Sequence, residues 1–418
     1  MVSTTTLILA LLSGIAQAAP HRAGANEKQQ QQQAGGMSCP QQAAKVTVGK
    51  AIYFMTNDAK NAVIAVPIGA DGMLSKGTVM KTGGAGSIAV DTKGKPATPD
   101  ALVGQSALTV VGNNLFAVNA GSNTLTMMAI SPNDPTSLSP VGKPVAIPGE
   151  FPNTVAASAK NKLACVGTTG AVAGISCASF SAKGLGKMDG LRAFDLGQTT
   201  PPAGPLNTVS QTFFSSDETA LYTTVKGDPA VNNTGFLSMF PIQASNGAAT
   251  LSQKDVRSSP NGTAVLFGSA PMPNDPTTLF VTDASFGAAV LKLDNKGQAS
   301  VVGSQAIKDQ STTCWATISD VTNTAFVTDV GKNHVVEMSL KDASIVKQLD
   351  LTNGDPGLID LRAAGNFVYA LSPGNGSTNA AVTVLDVSGG EGSMKEVQHF
   401  DLGCLGVGKT AQGMAVLM

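Results

Sequence analysis

Apolar residues along this chain gather in short runs separated by Asn, Asp, Gly and Ser, and one pair of runs keeps returning. "NLFAVNAGSNTLTMMAI", Asn114 to Ile130, is two apolar runs broken by a polar turn. "IYFMTNDAKNAVIAVPI", Ile52 to Ile68, aligns with it without a gap, placing Asn57 under Asn119 and Asn61 under Asn123. "TAFVTDVGKNHVVEMSL", Thr324 to Leu340, follows the same pattern, with Asp329 and Asn333 at the two polar positions. Further copies begin at Thr278 and surround "KLACVGTTG", "ALYTTVKGD" and "FVYALSPGNG". The units number seven and are spaced by roughly 43 to 62 residues, the range of propeller blades.

Each unit has one internal order. A leading apolar run comes first, as in "SALTVVG" (106–112), "TVAAS" (154–158), "AVLFGS" (264–269) and "CWATIS" (314–319). A turn follows, then the two repeated runs, then a looser one such as "PVGKPVAIP". Short runs rich in Val, Leu, Thr and Ala, divided by turn-forming residues, predict four strands per unit and an all-β, seven-bladed β-propeller. The first unit lacks a leading run, and the chain stops on one, "GMAVLM". Pairing these two ends would close the ring and leave no open edge. The pattern predicts one propeller domain over residues 45–418.

The N-terminus reads differently. A short apolar core, Leu7 to Leu12, precedes Ala16-Gln17-Ala18, so residues 1–18 are expected to be a cleaved secretory signal. Residues 19–44 are Gln-rich and polar, a flexible leader by composition. Three glycosylation sequons begin at Asn232, Asn261 and Asn375. The expected address is extracellular, in a cell wall or free of it. Cysteines number five, so at least one thiol is left over. Cys165 with Cys177 is the preferred disulfide, closing a Gly-rich loop. Cys39 with Cys404 depends on the chain ends meeting. The balance of 27 basic and 28 acidic residues leaves no nucleic-acid footprint, and no apolar stretch reaches membrane-spanning length. No cofactor, no metal site and a monomer are expected.

The hairpins of the "LFAVNAGSNTL" type, with "TTCWATISDVTNTAFVTDVGKN", make the chain resemble the seven-bladed lactonase and 3-carboxymuconate cyclase-like propeller family, in particular its secreted fungal branch. The resemblance covers essentially the whole mature chain. It implies a site in the central channel with a histidine, an acid and arginines that hold an anionic substrate. The chain offers few such residues. Its histidines are His21 in the leader, His334 at the start of a hairpin's second strand and His399 near a late outer strand. Among Arg22, Arg192, Arg257 and Arg362, only Arg362 falls on a leading strand.

Other residues are placed to line the channel. Asn153, Asn207 and Asn261 each stand just before a leading strand at equal spacing, and Thr313, Trp315 and Gln412 occupy similar positions elsewhere. Such a ring would suit a polar ligand such as a sugar; turn chemistry alone also places Asn there. "GCLGVGKT", Gly403 to Thr410, matches a phosphate loop in spelling, but no helix is expected after it. Cys314 reads as a buried thiol, and Asp217, Asp283 and Asp329 as turn formers. Two functional readings stay open. One is a secreted, N-glycosylated, wall-associated propeller that acts by binding, as an adhesin or surface antigen, to a glycan, a wall polymer or a host extracellular protein. The other is a cyclase or lactonase with an atypical channel site built around Arg362.

Overall fold

The repeated hairpin is the centre of a blade, and seven such blades stand around one axis. The computed structural model describes residues 47–418 except Asn246; the expected signal and leader lie outside the described residues. Blades 2 to 7 begin with the inner strands Leu108–Val111, Pro152–Ser158, Val209–Phe214, Leu266–Met272, Thr313–Ser319 and Leu361–Ala364. Each continues outward through antiparallel neighbours in sequence order. Blade 1 joins both ends of the chain. Its inner strand, Gln412–Leu417, pairs with Ala51–Met55, Ala51 lying opposite Leu417 and Tyr53 opposite Ala415. The ring is closed by the strand exchange that the sequence predicts.

Most second strands are buried along nearly their whole length, as in Leu115 to Asn119 of blade 2 and in Thr324–Asp329, because sheet faces on both sides cover them. Outer strands such as Ala299–Ala306 alternate between half-buried and exposed, with one face packed and one in water. The polar positions of the repeat act between blades. Asn61 Nδ2 donates to Asn119 Oδ1 of the next blade at 3.0 Å, and Thr82 Oγ1 donates to the same oxygen at 2.6 Å. Asn123 takes a positive φ of 49° and accepts the Phe151 amide of the following blade at 2.9 Å.

Cys165 and Cys177 face each other on adjacent strands of blade 3 and form a disulfide. Cys404 is exposed, and its expected partner Cys39 lies outside the described residues. The Gly403–Leu405 segment is one short 3₁₀ turn followed by a strand, so the phosphate-loop spelling has no helix to serve. Among the described residues, no helix is long and apolar enough to cross a membrane.

Candidate functional site

The longest departure from blade grammar is residues 82–107, between the outer strand Thr78–Lys81 of blade 1 and the inner strand of blade 2. Long loops inside a compact domain are uncommon and often functional. The sequence reading takes Ser106 and Ala107 as strand, but the strand begins at Leu108. The residues before it cross the axis, and residues 101–107 are all buried.

This crossing segment is held from around the ring. Gln412 of blade 1 donates to Pro99 O at 3.0 Å, and Asn153 of blade 3 to Leu102 O at 3.2 Å. Lys226 of blade 4 reaches Val103 O at 2.6 Å, and Trp315 Nε1 of blade 6 reaches Gly104 O at 3.4 Å. The Gln105 amide donates to Ser210 O at 2.8 Å, while its side chain forms a two-way pair with Ala316, Nε2 to O at 2.8 Å and N to Oε1 at 3.2 Å. In blade 5, a Cβ on Gly268 would stand 2.3 Å from Gln105 Oε1, so only glycine lets that carbonyl in. Val103 and Ser106 take φ of 49° and 65°, a left-handed conformation that is costly for a β-branched valine. The strain sits where the surrounding bonds over-determine it. The segment is a plug.

Arg362 is committed to the plug. Its Nη1 donates to Asp360 Oδ1 at 2.8 Å and its Nη2 to Ser106 Oγ at 2.9 Å. Asp360 has no solvent exposure and also accepts the amides of Leu361, Ser106 and Met414. Burial raises its pKa and the guanidinium opposes that rise. Among the described residues, the one arginine on an inner strand is therefore neutralised and occupied.

Most of the expected polar ring faces the plug as well. Asn153 and Gln412 are fully buried, Thr313 is 1% exposed, and Trp315 packs edge-on against Phe267 with ring centroids 5.1 Å apart. Asn207 alone of the proposed ligand residues lines an open cavity; its Oδ1 accepts from Asn233 at 2.7 Å. Asn261 lies exposed on the loop before blade 5, as do Asn232 and Asn375 on theirs.

That cavity, of about 630 Å³, opens beside the plug on blades 4 to 6. Pro99, Val103, Leu206, Val265, Phe267 and Val330 give it apolar walls. A bridge between Val90 and Ala203 ties the plug loop to the loop before blade 4 along one side. Asp100, Lys226 and Cys314 supply its chemistry. Lys226 is 2% exposed; besides Val103 O it donates to Ser210 Oγ at 3.0 Å and lies 4.3 Å from the centre of the Phe267 ring. Burial pulls its pKa down to about 8, against the raising effect of Asp100. Asp100 is half-buried, its Oδ1 is covered and unpartnered, and burial pushes its pKa up to about 7. Burial also holds the Cys314 thiol well above its usual value, which keeps it protonated and inert. None of these three groups carries a motif; the signal that could have found them is the length of the 82–107 connection.

The histidines are elsewhere. His334 is buried in blade 6 with Nδ1 3.6 Å from Asp350. His399 Nε2 is 3.1 Å from Asp355 Oδ2 in a second cavity of about 230 Å³, on the outer part of blade 7. No group of His, Cys, Asp and Glu among the described residues is arranged to hold a metal. Asp283 and Asp329 instead accept backbone amides at the start of the neighbouring inner strands, Ala264 and Val265 for one, Ser311 and Thr312 for the other.

Comparison with known proteins bears on the fold. No protein-family model matches the chain, and no curated relative does. The periplasmic gluconolactonase PpgL of Pseudomonas aeruginosa superposes with a TM-score of 0.61 at 15% identity, covering 88% of this chain and 99% of that one. A candidate 6-phosphogluconolactonase from Bacteroides uniformis gives 0.51 at 13% identity, covering 68% and 80%. A Lactobacillus plantarum protein gives 0.50 at 15%, covering 67% and 79%. The fold is thus a seven-bladed propeller, which these lactonase-type structures share. At these identities the likeness is one of fold, and function rests on the site.

Proposed function

We propose that the protein is a secreted, N-glycosylated propeller that acts by binding, and that its ligand is taken at the cavity beside the plug. The observation that carries this reading is the crossing segment 99–107, which fills the axis and occupies Arg362. The N-terminal sequence pattern supports secretion, and the exposure of Asn232, Asn261 and Asn375 fits glycosylation. Apolar walls around a few polar groups suit a small ligand with an apolar body. An anionic carboxymuconate has no free guanidinium there, and Asp91, Asp100 and Asp228 line the same space. Trp315, the chain's one tryptophan, touches the cavity wall at Phe267 and reports on occupancy. Hexan-1-ol is expected to change its fluorescence saturably, while 3-carboxy-cis,cis-muconate is not consumed. Turnover of the muconate that disappears in a folded Arg362→Ala protein would contradict the proposal.

Lactone hydrolysis is the second reading, supported by the likeness to PpgL over nearly that protein's whole length and by the raised pKa of Asp100. Asp100 would serve as the acid or base. Hydrolysis of glucono-δ-lactone above the spontaneous rate, lost in Asp100→Asn, would establish it; equal rates in the two proteins would dismiss it.

A further inference from the structure

Lys226 is an expensive way to hold a plug. Taking an ammonium out of water is costly unless a carboxylate pairs with it. The described lysines that form ion pairs are Lys292 and Lys395, both well exposed; Lys226 has only a carbonyl, a hydroxyl and a ring face. A glutamine amide could donate to the same two oxygens without a charge. The ring face favours the ammonium, yet burial prevails and leaves the amine easy to deprotonate. In the neutral amine both N–H groups stay on Val103 O and Ser210 Oγ, and the lone pair takes the remaining position. Nζ stands 4.3 Å from the centre of the Phe267 ring, and Lys226 and Phe267 line the cavity together.

We propose that Lys226 captures carbonyl ligands: an aldehyde or ketone with an apolar body enters the cavity and forms an imine at Nζ. The inference rests on the reading of the cavity as the binding site. Lys226 first gives one proton to solvent. The lone pair then attacks the carbonyl carbon, forming the C–N bond while the C=O π electrons move to oxygen. The Asp100 carboxyl protonates that oxygen and its carboxylate takes a proton from nitrogen, giving a carbinolamine. A second proton from the Asp100 carboxyl lets the hydroxyl leave as water while the nitrogen lone pair forms C=N. The iminium proton returns to Asp100. Amine and carbonyl become imine and water, and no oxidant or reductant is needed. Asp100 lines the same cavity and, with a pKa raised to about 7, holds both its acid and its base form near neutrality, which suits it to both proton-transfer roles. Cys314, the other nucleophile there, remains a neutral thiol.

The test treats the full chain at pH 7 with hexanal and cyanoborohydride, maps the alkylated lysines by mass spectrometry, and follows Trp315 fluorescence with hexanal and with hexan-1-ol. An amine with a pKa near 8 carries on the order of 100-fold more neutral form at pH 7 than an ordinary lysine. Lys226 is therefore expected to be alkylated about tenfold or more faster than the exposed lysines, saturably in hexanal, and more slowly in Asp100→Asn. If Trp315 responds to hexan-1-ol but Lys226 stays unmodified while surface lysines react, the covalent step is overturned and the binding site stands. If Trp315 responds to neither compound and Lys226 stays unmodified, both fall.

Discussion

Arg362 donates to Asp360, two residues before it, at 2.8 Å, with the arginine side chain 19% exposed and the aspartate fully buried. A residue that sequence alone marks as the best channel cation is thus the counter-ion of a carboxylate that nothing else neutralises. Arg362→Ala leaves that carboxylate buried and unpaired, and is expected to cost about 3–5 kcal/mol in denaturant unfolding. Adding Asp360→Asn to the same protein should recover part of the loss. A catalytic Arg362 would show the reverse, with activity lost and stability kept.

Gly104 lies where the plug passes between blades 3 and 4. A Cβ there would stand 2.6 Å from Ser210 O and 2.7 Å from Asn153 Nδ2. Gly104→Ala is expected to unseat the plug, lowering the melting temperature and changing Trp315 emission, because the Trp315 bond to Gly104 O is lost with it. Gly94→Ala makes the comparison: it lies in the same loop with nothing near its Cβ, but at a positive φ of 75°, so backbone strain alone should follow.

Asp100 and Lys226 give stability opposite pH slopes. Asp100 titrates higher in the folded protein than in the unfolded chain, so its contribution is present at low pH and declines as pH rises from about 4 to about 7. Lys226 titrates lower when folded, so stability recovers as pH rises past about 8 towards the unfolded lysine range. Unfolding free energy is expected to dip between the two, and Asp100→Asn should flatten the acid-side decline. An unchanged profile in that variant would remove Asp100 from the account.

Asn153 and Asn207 look alike in sequence and differ in the fold. Asn153 Nδ2 donates to Leu102 O and Val209 O, the latter at 2.7 Å, so Asn153→Ala leaves two buried carbonyls without it and should cost about 1–3 kcal/mol. Asn207, half-buried at the cavity with φ of 53°, can become Gly without backbone strain. Asn207→Gly is expected to alter the hexan-1-ol response and leave unfolding nearly unchanged.

The fold was legible because a blade is a local object. Asn57, Asn119 and Asp329 recur at one place in a hairpin whose strands alternate with turns, and the missing first strand points to Gln412–Leu417. The disulfide was legible for the same reason, since Cys165 and Cys177 sit across one hairpin. The site was not. Arg362 meets Ser106, and Lys226 meets Val103, only after the ring has closed. Asn153 and Asn207 share a register, yet the plug covers one and leaves the other at the cavity. No periodicity records a segment that crosses the axis once.

Amide hydrogen exchange shows directly whether residues 99–107 fill the axis. Gln105 N–H donates to Ser210 O at 2.8 Å, as Ile359 N–H at the start of blade 7 donates to Leu371 O at 2.8 Å. The Gln105 amide is expected to exchange as slowly as that of Ile359, and far more slowly than those of exposed Lys93 and Gly94 in the same loop. Exchange of Gln105 at the rate of Lys93 and Gly94 would mean an open axis and an Arg362 released from Ser106, and the channel would again be the place to look for catalysis.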